Sequence, residues 1–125
     1  MVREIIAILR GVTPHEVAGI AEELILSGIT KIEVPLNSPN AYECIEILAN
    51  RFLSEAVIGA GTVLAKSEVS LVWNSGGKMI VSPNVNVDVI KETKKLNMRS
   101  YPGVFTATEC LSLIHISEPT RLHTI

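Results

Sequence analysis

The chain repeats one unit along its length: a short apolar run, a turn rich in Gly, Pro, Ser or Thr, and then apolar residues at helical spacing. The apolar runs begin near Ile5, Lys31, Ala56, Lys78 and Met98, at intervals of 26, 25, 22 and 20 residues. Each interval has room for one strand and one helix. Such alternation predicts a parallel sheet whose helices cross over with right-handed connections.

The boundaries of the elements follow from local signals. Thr13 can cap a helix whose first turn contains Pro14, and Gly28 ends that helix. Ser38-Pro39 predicts the start of the second helix, and a fifth begins near Thr106. Strands are predicted over residues 5–9, 31–36, 56–60, 78–81 and 98–101, and the third and fourth helices over 67–74 and 88–96.

Two parallel architectures fit this pattern: an open flavodoxin-like sheet and a closed barrel. The segment after the first strand has no glycine-rich dinucleotide fingerprint, which argues against a Rossmann domain. Both remaining architectures place their active sites at the carboxyl ends of the strands. The polar residues at or just beyond those ends are Arg10, Glu33, Asn37, Thr62, Ser82, Asn84 and Thr106.

Glu33 is the strongest candidate for an acid/base because apolar residues flank it in its strand. Burial of a carboxylate raises its pKa toward the range that is useful for proton transfer. Arg10 ends the first strand and could bind a carboxylate or phosphate. The alternatives are a structural ion pair between Glu33 and Arg10, or exposure of Glu33 at the sheet edge.

Small residues predict close backbone approach to a ligand after three other strands. The segment Gly59-Ala60-Gly61-Thr62 is interpreted as a loop whose N–H groups could hold an anion. Ser82-Pro83-Asn84 and Pro102-Gly103 have the same character. For each of them, a tight turn with no ligand is the alternative.

The composition, with 47% hydrophobic and 19% charged residues, is typical of a globular domain. The net charge of -2 and the 4% aromatic content argue against nucleic acid as a partner. We expect no membrane span, because no apolar run reaches roughly 20 residues. Cys44 and Cys110 lack metal or disulfide spacing, the N-terminus does not resemble a signal peptide, and the histidines have no ligand spacing. These features predict a cytoplasmic protein without a metal.

Five motifs at the strand ends occur in order and at matching intervals. Together they resemble the class I aldolases of the KDPG/KHG family, over residues 5 to about 110. The motifs are Ile6-Ala7-Ile8-Leu9-Arg10-Gly11, Glu33-Val34-Pro35-Leu36-Asn37-Ser38-Pro39, Gly59-Ala60-Gly61-Thr62-Val63-Leu64, Ser82-Pro83-Asn84 and Pro102-Gly103.

The resemblance implies a TIM barrel, usually a homotrimer, that cleaves a 2-keto-3-deoxy-6-phospho sugar acid to pyruvate and glyceraldehyde 3-phosphate. A lysine forms a Schiff base, and neither a metal nor an organic cofactor is used. Glu33 matches the family's general acid/base. Arg10, Gly61-Thr62 and Pro83 match substrate-binding positions. Asn37 stands where the gluconate-type branch usually has arginine, which favours the branch that acts on 2-dehydro-3-deoxy-6-phosphogalactonate.

The chain departs from the family pattern after residue 111. The Schiff-base lysine should lie on a sixth strand in a Leu-Lys-(Ile/Leu/Phe)-Phe-Pro context, and this sequence has no such string. Residues 112–125 do not resemble family sequence, and Pro119 interrupts the expected helix. We therefore expect residues 1–111 to be a partial aldolase barrel of about four and a half units, residues 112–125 to be a non-native tail, and the fragment alone to be inactive.

Three other functions stay open at this point. The first is a 2-dehydro-3-deoxy-6-phosphogluconate or 4-hydroxy-2-oxoglutarate aldolase. The second is a half-barrel that binds a sugar phosphate without catalysis. A phosphate-binding epimerase is the third, and the string from Glu33 to Pro39 argues against it.

Overall fold

The computed structural model describes residues 5–103, which form one five-stranded parallel sheet covered by four helices. The strands are β1 (Ile6–Ile8), β2 (Lys31–Pro35), β3 (Val57–Gly61), β4 (Met79–Ser82) and β5 (Arg99–Pro102). The helices are α1 (Pro14–Leu26), α2 (Ala41–Arg51), α3 (Lys66–Asn74) and α4 (Val87–Lys95). Every strand is joined to the next by one helix, as the repeat predicts.

Strand order separates the two architectures that the sequence left open. The order in the sheet is β1-β2-β3-β4-β5, the same as in the chain. A flavodoxin-like sheet places its first strand between its second and third, so that alternative is wrong. Sequential order is the arrangement of a TIM barrel, and the chain has the fold of the N-terminal part of one.

The two faces of the sheet have different neighbours. Alternate residues of the central strands pack against the helices in the main apolar core, among them Ile32, Val34, Ile58, Ala60 and Ile80. The opposite face, which lines the interior of a barrel, carries a second cluster of Ile6, Met79, Val81 and Tyr101. Glu33 belongs to this second face because its neighbours along β2 point into the helix-side core.

Helix α1 begins and ends where the sequence predicts. Thr13 is the N-cap, and the Glu16 carboxylate accepts from the Thr13 hydroxyl at 2.7 Å and from its N–H at 3.3 Å. Gly28 follows the helix with a φ of 93°, a conformation that glycine adopts without a steric penalty.

The start of the second helix is predicted wrongly. It begins at Ala41 rather than at Ser38, and Asn40 precedes it in the left-handed conformation with a φ of 54°. The reason is that the Ser38 hydroxyl accepts a bond from the N–H of Gly11 across the sheet edge, at 3.0 Å, instead of capping the helix. The strand boundaries agree to within one or two residues.

Several predictions fall on residues that the structure does not describe. The fifth helix near Thr106, the thiol of Cys110 and the tail over residues 112–125 lie outside residues 5–103. Cys44 lies in α2, where its buried thiol forms no disulfide with a described residue and donates to the carbonyl of Val12, at 3.6 Å. Among the described helices, none combines the length and the apolar character needed to cross a membrane.

Candidate functional site

The residues singled out from the sequence lie along one edge of the sheet. Arg10 follows β1, Glu33 lies within β2, Gly61 ends β3, and Thr62 follows it. Asn37 and Pro83 follow β2 and β4 and are exposed at the rim of this edge. Because all strands are parallel, their carboxyl ends meet here, as the pattern requires. Ser82 is the last residue of β4 and is buried, whereas Asn84 is exposed beyond it.

Glu33 is a buried carboxylate in β2, near the carboxyl edge of the sheet. In the register of the strands it stands opposite Ile8 of β1 and Gly59 of β3. Its residue exposure is only 4%, which excludes the alternative of a solvated side chain at the edge. Its Oε2 atom is buried and accepts no hydrogen bond from the described part of the chain. A buried carboxylate oxygen without a partner is unfavourable for folding, which makes Glu33 a candidate functional residue.

Burial sets the protonation of this group. Desolvation raises the pKa of Glu33 from 4.5 to about 7, and the positive charge of Arg10 opposes that increase. Arg10 is itself exposed, and the two groups influence each other through charge. Near neutral pH both forms of Glu33 are populated, so the same side chain can accept a proton in one step and donate it in another.

Two glycines of β3 allow the Glu33 carboxylate and the neighbouring strand β4 to approach closely. A β-carbon placed on Gly61 would overlap the Glu33 carboxylate, and one placed on Gly59 would overlap the backbone of Met79. The interpretation of residues 59–62 as a loop is therefore wrong for the first three, which are strand residues. Residues 59 and 61 are glycines because β4 approaches Gly59 closely and Glu33 approaches Gly61 closely.

The hydroxyl of Ser38, a residue that the sequence places at the start of the second helix, instead joins two of the site loops. Ser38 is buried, and its Oγ accepts from the N–H of Gly11 at 3.0 Å. Gly11 follows Arg10 and has a φ of 74°, so the bond fixes a left-handed turn directly after the arginine. Burial of a serine at a strand end is the signal that would have identified it, and burial is not readable from local sequence.

Thr62 follows β3 in a strained conformation. Its φ is 55°, in the left-handed region that a β-branched side chain disfavours. Such a residue costs about 1–3 kcal/mol and persists only where its surroundings hold it. Strain of this kind concentrates at ligand-binding sites, which supports Thr62 as a site residue.

The stability of the chain should depend on pH through Glu33. Between pH 4.5 and about 7, Glu33 holds a proton in the folded chain that it has released in the unfolded chain. The contribution of this group to the free energy of unfolding is therefore fully present below pH 4.5 and is lost as the pH rises through about 7. The loss is about 3 kcal/mol, at about 1.4 kcal/mol for each pH unit between the two pKa values. Urea unfolding of the 125-residue chain at pH 5 and pH 8 measures it.

The matched variants are Glu33→Gln and Glu46→Gln. The first removes the titrating group and should flatten the pH dependence, whereas the second alters an exposed glutamate of α2 and should retain it. Equal pH dependence in both variants would exclude Glu33 as its source.

The fold and the site together define a class of protein. The parallel strands in sequential order form the N-terminal part of a (β/α)8 barrel. The carboxylate with the raised pKa lies near the carboxyl ends of the strands, where the active sites of such barrels are found. Within residues 5–103, no three His, Cys, Asp or Glu side chains converge as a metal site would require.

The chain belongs to the KDPG and KHG aldolase family, whose sequence model matches residues 2–117. A probable 2-dehydro-3-deoxy-6-phosphogalactonate aldolase from Rhizobium meliloti (strain 1021) is 45% identical over 112 residues. Those residues are 90% of this chain and 53% of that protein. The chain therefore spans about half the length of this curated relative.

Solved structures give the same result. A structure described as native KDPGal superposes with a TM-score of 0.92 at 34% identity, over 98% of this chain and 59% of that one. The KDPG aldolase from Legionella pneumophila, with pyruvate captured at low pH as a covalent carbinolamine intermediate, superposes with a TM-score of 0.83 at 27% identity. That match covers 90% of this chain and 54% of that one.

Proposed function

We propose that this chain is the N-terminal part of a 2-dehydro-3-deoxy-6-phosphogalactonate aldolase and supplies its general acid/base. The observation that supports this most directly is the burial of Glu33, with a pKa of about 7 and a carboxylate oxygen that has no hydrogen-bond partner within residues 5–103. The similarity to the Rhizobium protein favours the galactonate substrate. By resemblance to the family, we also propose that the whole protein is a trimeric enzyme of the cytoplasm.

The reaction needs one group that moves protons in both directions. A lysine on the missing part of the barrel binds C2 of the substrate as a protonated imine, which accepts the electron pair of the C3–C4 bond. Glu33, as carboxylate, takes the proton of the C4 hydroxyl while that bond breaks, and the aldehyde product leaves. Glu33 then returns a proton to C3, and hydrolysis of the imine releases pyruvate.

The other site residues are proposed to hold the substrate. The Gly61-Thr62 backbone lies beside the Glu33 carboxylate and suits the pyruvyl carboxylate, whose carbon is next to C2. Arg10 supplies a positive charge near the same place. Asn37 and Pro83 lie farther out on the rim, where they can contact the sugar portion.

The test compares the chain with a completed barrel. The completed barrel consists of residues 1–103 followed by the portion of the Rhizobium relative that aligns after them. Pyruvate release from 2-dehydro-3-deoxy-6-phosphogalactonate and from its gluconate epimer is followed with lactate dehydrogenase and NADH. We expect turnover by the completed barrel, with a higher kcat/KM for the galactonate form, and none by the 125-residue chain.

Three results would each contradict a part of this proposal. A completed barrel that folds and cleaves neither epimer contradicts the aldolase function. Trapping of pyruvate on a lysine of the 125-residue chain with borohydride contradicts its expected inactivity. A preference for the gluconate epimer would assign the chain to the other branch of the family.

A further inference from the structure

The segment that connects β3 to α3 carries Thr62 and is fixed at each of the next three peptides. The N–H of Val63 donates to the carbonyl of Val81 in β4, at 3.3 Å. The N–H groups of Leu64 and Ala65 also donate hydrogen bonds, and the carbonyl of Leu64 accepts one. A strained residue next to a segment bonded at every position is held by that segment.

Glu68, in the first turn of α3, makes two of these bonds. Its Oε1 atom accepts from the N–H of Leu64 and from that of Ala65, each at 2.9 Å. The bond to Ala65 is the ordinary reach of a third helical residue back to the N-cap. The bond to Leu64 lies one residue farther out and serves the connecting segment rather than the helix.

Asn86 connects the same segment to the next unit of the barrel. Its Oδ1 accepts from the N–H groups of Asp88 and Val89, at 3.1 and 3.2 Å, and thereby caps α4. Since the oxygen is occupied there, the amide nitrogen faces the other way and donates to the carbonyl of Leu64, at 3.3 Å. One side chain therefore joins the loop after β4 to the loop after β3.

We propose that Asn86 and Glu68 are positioning residues that hold Thr62 in its left-handed conformation and so shape the substrate-carboxylate subsite. The relevance of that subsite to substrate rests on the proposed function. Neither residue touches the reacting atoms. Their effect passes through Leu64, two residues after Thr62.

Substitutions can separate helix capping from positioning. Asn86→Ser and Asn86→Asp both keep an oxygen that caps α4, but neither retains the amide donor to Leu64, and only the second adds a charge. Glu68→Gln keeps the acceptor for Leu64 and Ala65, whereas Glu68→Ala removes it. If the two residues serve only as caps, both Asn86 variants should resemble the parent protein.

Two measurements apply to each variant. Backbone chemical shifts of Thr62 in the full 125-residue chain report its left-handed conformation without any need for activity. KM and kcat of the completed barrel report the subsite. We expect both Asn86 variants and Glu68→Ala to lose the left-handed shifts and to raise KM about tenfold with kcat within about twofold, and Glu68→Gln to match the parent in both.

Unchanged Thr62 shifts in the Asn86 variants overturn the inference, and so do changed shifts with an unchanged KM. A lower melting temperature of Glu68→Ala, with KM and the Thr62 shifts intact, also overturns it, because that is the signature of a lost helix cap alone. If the unsubstituted completed barrel has no turnover, the proposed function fails. The Thr62 shifts then still decide whether Asn86 and Glu68 hold the segment.

Discussion

Glu33→Gln should lower kcat of the completed barrel by about 10²–10⁴-fold, the range for loss of a general acid/base. Glutamine has the same shape and occupies the same space beside Gly61, but it cannot exchange a proton at neutral pH. The galactonate substrate should still bind, so KM should change much less than kcat. Stopped-flow measurement of pyruvate release gives both constants.

The control for this prediction is Glu46→Gln, which makes the same chemical change on the exposed face of α2. It should leave kcat within twofold of the unsubstituted completed barrel. Parent-like kcat in Glu33→Gln, with the variant folded, would show that another group moves the proton. A fall in KM along with kcat would instead indicate that Glu33 destabilises the bound substrate.

Gly59→Ala should destabilise the 125-residue chain by about 3 kcal/mol, the upper end of the usual cost of overpacking. The new methyl group would overlap the backbone carbonyl of Met79, with which Gly59 is paired in the sheet. A backbone carbonyl in a central strand cannot retreat without loss of strand pairing. Urea unfolding measures the change.

Gly61→Ala should affect the activity of the completed barrel more than the stability of the chain. The three atoms nearest to its methyl group all belong to the end of the flexible Glu33 side chain, which can move away. Stability should therefore fall less than in Gly59→Ala, whereas the completed barrel should lose most of its kcat because the carboxylate is displaced. A Gly61→Ala variant that is less stable than Gly59→Ala, or that retains full kcat, would contradict this assignment.

Gly19→Ala is the matched control for both glycine variants. Gly19 lies in the middle of α1, and apart from its chain neighbours and the backbone of its own helix, no atom of residues 5–103 lies within 4 Å of a β-carbon placed on it. Alanine there should stabilise the chain by about 0.5–1 kcal/mol, because glycine in a helix has more conformational freedom to lose on folding.

The sequence by itself determined the repeat of strand and helix, the helix start at Thr13 and the edge of the sheet at which Arg10, Glu33 and Thr62 lie. These features depend on the spacing of apolar residues and on capping and turn chemistry, which act within a few residues of the chain. The resemblance in the motifs also indicated the family correctly.

Only the tertiary structure decided how those residues meet. Strand order separated the barrel from the open sheet, and burial, not its neighbours in sequence, raised the pKa of Glu33 to about 7. Ser38 was misassigned to a helix start because its partner, Gly11, lies 27 residues away. Register, burial and bonds between loops depend on contacts between residues that are distant in sequence. Local sequence patterns therefore do not predict them.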